Sequence, residues 1–147
     1  MVIETSLKNE ALRLGFNLVG IASAQDMFQA RALARYDSWL DSGFAATMSY
    51  LQRHREEKAD PQKFLPGCRS VLCVGLLYGK SSELKSTSGT TAKVSAYTFD
   101  QDYHVIMRKK LEVLASFLRK NFGGEVRPFV DSAPVMDRFW SWRSGLG

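Results

Sequence analysis

The sequence predicts an α/β fold, with α+β as the neighbouring possibility: a layered sheet with helices on its flanks. Three observations carry this. Short apolar runs bounded by turn residues alternate with amphipathic stretches of helical period along the chain. The clearest run, Val71 to Leu77, is continuously apolar, as in a strand covered on both faces. With 147 residues, 45% hydrophobic and 24% charged, the chain has the length and balance of one globular domain. A domain of that size buries roughly two thirds of its unfolded surface and folds without disulfides.

The elements follow in order. Leu7, Ala11 and Leu14 recur at i, i+4, i+7 in a first helix, Thr5–Leu14, which Thr5 or Ser6 caps and Gly15 ends. Phe16–Ala22 is short and apolar and reads as a buried strand. A second helix, about Asp26–Ser42, gathers Met27, Ala30, Leu33, Ala34 and Leu40 on one face and stops at Gly43. Met48–His54 is a short helix broken by Asp60-Pro61, and Pro66-Gly67 is a turn into the strand at Val71. Ser81–Thr91, rich in Ser, Thr and Gly, is a loop leading to an extended segment, Lys93–Phe99. The longest helix, about Asp102–Asn121, carries Met107, Leu111, Leu114 and Leu118 as its core stripe and ends at Gly123-Gly124. Val126–Val130 reads as a further strand, irregular or at an edge because of Pro128. A last helix runs through Arg143, with Ser132 as its cap and Pro134 in its first turn.

Composition narrows function by exclusion. Two cysteines, Cys68 and Cys73, cannot make a disulfide framework, a four-cysteine zinc site or a self-contained cysteine-ligated iron–sulfur cluster. The longest apolar run, Val71–Tyr78, is far too short to span a bilayer. No charged-then-apolar leader opens the chain, so the cytoplasm is the expected location and no membrane the expectation. The net charge of +5 permits an anionic partner without demanding one, and Arg108, Lys109, Lys110, Arg119 and Lys120 read as a solvated helix face. No Walker A, GxGxxG or GxSxG sequence is present.

Asp131 is the residue that physics alone singles out. It falls at a strand exit just before a helix start, where α/β folds concentrate functional groups. The helix dipole favours its ionised form, and burial beside a large ligand favours the proton-holding form. It is either a proton donor or a helix cap. His104, at the start of the long helix, is a proton-exchange candidate or a structural residue, and His54 lies between Arg53 and Arg55 in a polar patch. Arg69 beside Cys68 is placed to lower that thiol's pKa, whereas Cys73 lies inside an apolar strand. Phe139, Trp140 and Trp142, between Arg138 and Arg143, either stack on a base or cofactor ring or fill the core.

Three stretches in order resemble the N-terminal part of epoxyqueuosine reductase. The first is Met48-Ser49-Tyr50-Leu51-Gln52-Arg53-His54, leading through Asp60-Pro61 to Leu65-Pro66-Gly67-Cys68-Arg69-Ser70-Val71. The second is Asp102-Tyr103-His104, and the third is Val130-Asp131-Ser132-Ala133-Pro134-Val135-Met136-Asp137-Arg138, continuing to Ser144-Gly145-Leu146-Gly147. The resemblance implies an oxidoreductase of queuosine biosynthesis, which reduces the epoxide of epoxyqueuosine in tRNA to an alkene. It implies a nitroreductase-like, cobalamin-binding domain over residues 1–147, followed by a ferredoxin-like domain with two [4Fe-4S] clusters that this sequence does not contain. On that reading the chain is a fragment, inactive alone, whose partners are the tRNA and the missing iron–sulfur domain.

The resemblance further implies that Asp131 is the proton donor beside the cobalt and that Lys58 and Ser95 lie near the corrin; no metal ligand is implied in this segment. The chain departs from the family pattern at Lys58 and Ala96, where arginine is usual, and at Asp100, where glycine is common. A non-catalytic corrinoid- or tRNA-binding module and a flavin-dependent nitroreductase-like reductase are the alternative readings.

Overall fold

The computed structural model describes residues 2–25, 29–78 and 101–147. Its elements are α1 (Val2–Arg13), β1 (Leu18–Ser23), α2 (Gln29–Asp41), α3 (Ser49–Arg53), α4 (Arg55–Ala59), α5 (Pro61–Phe64), β2 (Ser70–Gly75), α6 (Tyr103–Phe122) and α7 (Asp137–Arg143). The sheet among the described residues is the pair β1–β2. The Asn17 N–H donates to the Gly75 carbonyl and the Ala24 N–H to the Arg69 carbonyl, each at 2.9 Å. One strand ascends as the other descends, so the pair is antiparallel. The mixture of helix and sheet is compatible with the α/β expectation.

The chain divides into two compact groups, Met1–Asn17 with Gly75–Val130 and Leu18–Val74 with Asp131–Gly147. In the first, α1 packs on α6. Leu7 and Ala11 are buried as their spacing predicts, with Phe16, Leu114, Ala115 and Val130 completing that core. The α6 start is set by Asp102, whose carboxylate accepts the His104 N–H at 2.9 Å. Its end is set by Gly123 at φ 72°. Lys110 leaves the expected solvated basic face: its ammonium lies 5.8 Å from the Phe16 ring centroid and donates to the Leu14 carbonyl at 2.7 Å. It thereby closes the C-terminus of α1.

In the second group the core is Ala22, Phe139 and Trp140, with Ala32, Val71, Cys73, Val135 and Met136 packed around them. Helix α7 lies on β1. Gly20 permits that approach, because a Cβ there would strike the Ser144 carbonyl and side chain. Helix α2 packs on α4, where Arg55 donates to Asp37 at 2.6 Å and to Asp41 at 3.0 Å. Asp60-Pro61 does break the α3–α4 run, and it also starts a new turn of helix: Asp60 caps α5 through the Gln62 N–H, with Pro61 at its first position.

Two expectations are corrected. Residues 126–130 form no strand among the described residues. Pro128 supplies no N–H, and the Val126 carbonyl accepts from the Arg119 guanidinium at 2.6 Å rather than from a neighbouring strand. The last helix begins at Asp137, not at Ser132, and its cap position is Met136. Residues 131–135 are turns, pinned by the Val135 N–H donating to the Ala133 carbonyl at 2.8 Å. The loop and extended segment expected over Ser81–Phe99, including Ser95, Ala96 and most of the sequence around them, lie outside the described residues.

Candidate functional site

Asp131 is the first residue of the segment that returns to the second compact group. Its side chain is exposed at a turn directly after the buried Val130. The turn over 131–135 separates it from the helix start, so the expected influence of a helix dipole on this carboxyl is withdrawn: such fields fall off within one turn. The acid in the first turn of α7 is Asp137. Asp131 therefore does not cap this helix.

Lys58 lies in the same group, half-buried on α4. Its ammonium sits 5.6 Å from the centroid of the Tyr36 ring on α2. The Tyr36 hydroxyl in turn donates to the Leu51 carbonyl at 3.1 Å, and partial burial raises its pKa. Tyr36 is thus a support for Lys58 that sequence reading missed. The two residues are 22 apart on different helices, and only their packing reveals the pair. Ser95 lies outside the described residues.

In the first group, His104 and Asp102 form a close pair, Nδ1 to Oδ1 at 2.8 Å, with the Tyr103 ring stacked on the imidazole at 4.1 Å. The His104 backbone N–H, followed by its ring, holds the Asp102 carboxyl below the usual range. The His54 ring lies 3.7 Å from the Glu57 carboxylate.

Burial holds both thiols against ionisation. Burial pushes the Cys68 pKa up, contrary to the expected effect of Arg69. Burial also raises Cys73, against hydrogen bonds from Ser144 and Ser141. Phe139 and Trp140 are core, edge to face at 5.0 Å, and Trp142 is exposed beneath the Arg143 guanidinium at 5.1 Å. Among the described residues, no helix is long and apolar enough to cross a membrane.

The family model described as "Epoxyqueuosine reductase QueG, DUF1730" matches residues 58–132. That stretch runs from Lys58 to one residue beyond Asp131 and includes Ser95. The chain is 37% identical over 143 residues to the epoxyqueuosine reductase of Leadbetterella byssophila, covering 96% of this chain and 45% of that protein. It is also 37% identical over 143 residues to that of Cellulophaga algicola, with the same coverage. To that of Salmonella typhimurium it is 34% identical over 148 residues, covering 97% of this chain and 37% of the relative. The chain thus spans less than half the length of these curated relatives. No solved structure gives a significant match.

Proposed function

Because this chain belongs to the epoxyqueuosine reductase family, we propose that it is the cobalamin-binding part of an enzyme that reduces epoxyqueuosine in tRNA to queuosine. The single observation that carries this reading is the family match over 58–132, which contains Lys58, Ser95 and Asp131. The described side chains fit such a cofactor. Asp131 stands on an exposed turn, and Lys58 presents an ammonium steadied over an aromatic ring. A corrin carries amide groups around its rim, for which an ammonium is a donor, and a carboxyl is suited to the reacting face.

When bound, the cobalamin supplies the electrons that the protein's own groups cannot. The remaining chemistry falls to the chain. Opening a strained C–O bond leaves negative charge growing on oxygen, and a positioned carboxylic acid discharges it by giving up its proton. Asp131 is that acid in this reading. Covering an exposed carboxyl with a large ligand removes water and favours the proton-holding form. Lys58 holds the cofactor's rim, with Tyr36 fixing where its ammonium sits. Loss of the oxygen as water takes two electrons and two protons: Asp131 gives one proton, solvent gives the other, and the electrons that the cofactor would pass on come from the iron–sulfur domain of the whole enzyme.

The test is a titration of cobalamin into the protein extended to the length of its relatives, followed through the visible spectrum. A saturable spectral change that weakens in Lys58→Ala is the expected result. Saturable binding of flavin in place of cobalamin, or no change with either, overturns the reading.

A further inference from the structure

We propose that the outer face of α2 is a contact surface for single-stranded RNA, distinct from Lys58 and Asp131. The inference rests on the reading above only in taking RNA as the partner.

A shallow groove of about 450 Å³ runs along this face, lined by Arg31, Arg35, Ser38, Trp39, Ser42 and Phe44. Arg31, Arg35, Ser38 and Ser42 recur at i, i+4, i+7 and i+11, so they share one side of the helix. The buried Leu40 lies on the other side. Charge on α2 is segregated. Asp37 and Asp41 are drawn to Arg55, whereas Arg31 and Arg35 are exposed and make no ion pair among the described residues.

Two like charges at i, i+4 repel, and nothing in the groove wall opposes them. Phe44 is 66% exposed beside them, directly after the turn at Gly43. Trp39 is half-buried and stacked on Tyr36 at 6.2 Å, which fixes its ring plane.

Unpaired guanidinium forks beside a fixed and an exposed aromatic ring match a strand that offers phosphates and unstacked bases together. The serine hydroxyls add donors for phosphate or ribose oxygens. An anionic membrane is a poorer fit, because apart from Trp39 and Phe44 the groove is lined by Arg, Ser and Ala, without the continuous large apolar face by which an interfacial helix inserts. An acidic peptide would answer the arginines and leave the rings unused.

The experiment is fluorescence anisotropy of a labelled single-stranded oligoribonucleotide with the 147-residue chain, repeated across a salt series. Arg31→Ala/Arg35→Ala removes two phosphate contacts, so the slope of log affinity against log salt falls by about 1.4. Phe44→Ala weakens binding roughly five- to 150-fold by loss of one stacked base and leaves the slope unchanged. All three side chains are exposed, and far-UV circular dichroism verifies that the variants fold. Unchanged affinity and slope in the double arginine variant overturn the proposal. So does binding to phosphatidylserine vesicles that outcompetes the RNA. The cobalamin titration is read independently: cofactor binding with RNA affinity indifferent to these variants sinks this surface alone, and the converse sinks the cofactor reading alone.

Discussion

At Gly20 a single hydrogen atom decides whether helix and strand can meet. Ser144 presses its carbonyl against the place a Cβ would occupy, and a backbone carbonyl at the end of α7 has little room to retreat. Gly20→Ala is expected to cost about 1–3 kcal/mol, the range for overpacking a closed interface, and urea denaturation measures it. The same interface governs Cys73. Its thiol and that of Cys68 are both raised by burial, so the unfolded chain releases thiol protons first. The unfolded state then binds fewer protons, and stability falls as pH climbs past the ordinary thiol value of about 8.5. Alkylation with iodoacetamide near neutral pH is expected to be slower in the folded chain than in guanidinium, and equal rates would contradict the burial argument.

At the scale of an element, α6 shows how caps and stripe cooperate. Asp102 accepts the His104 N–H and pairs with its ring, which depresses the carboxyl. A depressed carboxyl stabilises the fold above its unfolded value of about 3.9, and that contribution is lost as pH falls through the folded value. Asp102→Asn keeps a competent cap, so thermal midpoints at neutral pH should change little while part of the fall in stability below about pH 4 disappears. Leu114, 1% exposed at the centre of the stripe, is expected to cost about 2–5 kcal/mol as Leu114→Ala in the same denaturation experiment.

This helix was legible because period and stop agreed, and the structure adds the Asp102 cap. The segment that follows was not, and the reasons are local. Ser132 and Pro134 are typical starting residues, but Val135 and Met136 pack on the Ala22–Trp140 core and draw the chain through a turn before the helix can begin. Val126–Val130 has strand-like residues, yet a strand exists only through a partner, and its Val126 carbonyl is already taken by Arg119. The candidate site divides in the same way. Asp131 and Lys58 were readable as residue types at family positions, while the Tyr36 ring beneath Lys58 and the charge segregation of α2 depend on packing that no spacing rule encodes.

At the scale of the whole molecule, the chain corresponds to less than half of its relatives, so its chemistry is best tested in a protein extended to their length. The carboxyl of Asp131 stands on an exposed turn rather than at a helix terminus. Asparagine preserves the shape and polarity of that side chain and removes only the transferable proton. Asp131→Asn is therefore expected to slow single-turnover reduction of epoxyqueuosine-containing tRNA by roughly 10²–10⁴-fold, the usual worth of a general acid, with the cobalamin titration unchanged. Lys58→Ala should behave in the opposite sense, weakening the titration and recovering turnover when cobalamin is saturating. Equal turnover by the asparagine variant and the parent would take Asp131 out of the proton path. A shared loss of cofactor binding in both variants would make Asp131 a binding group rather than an acid.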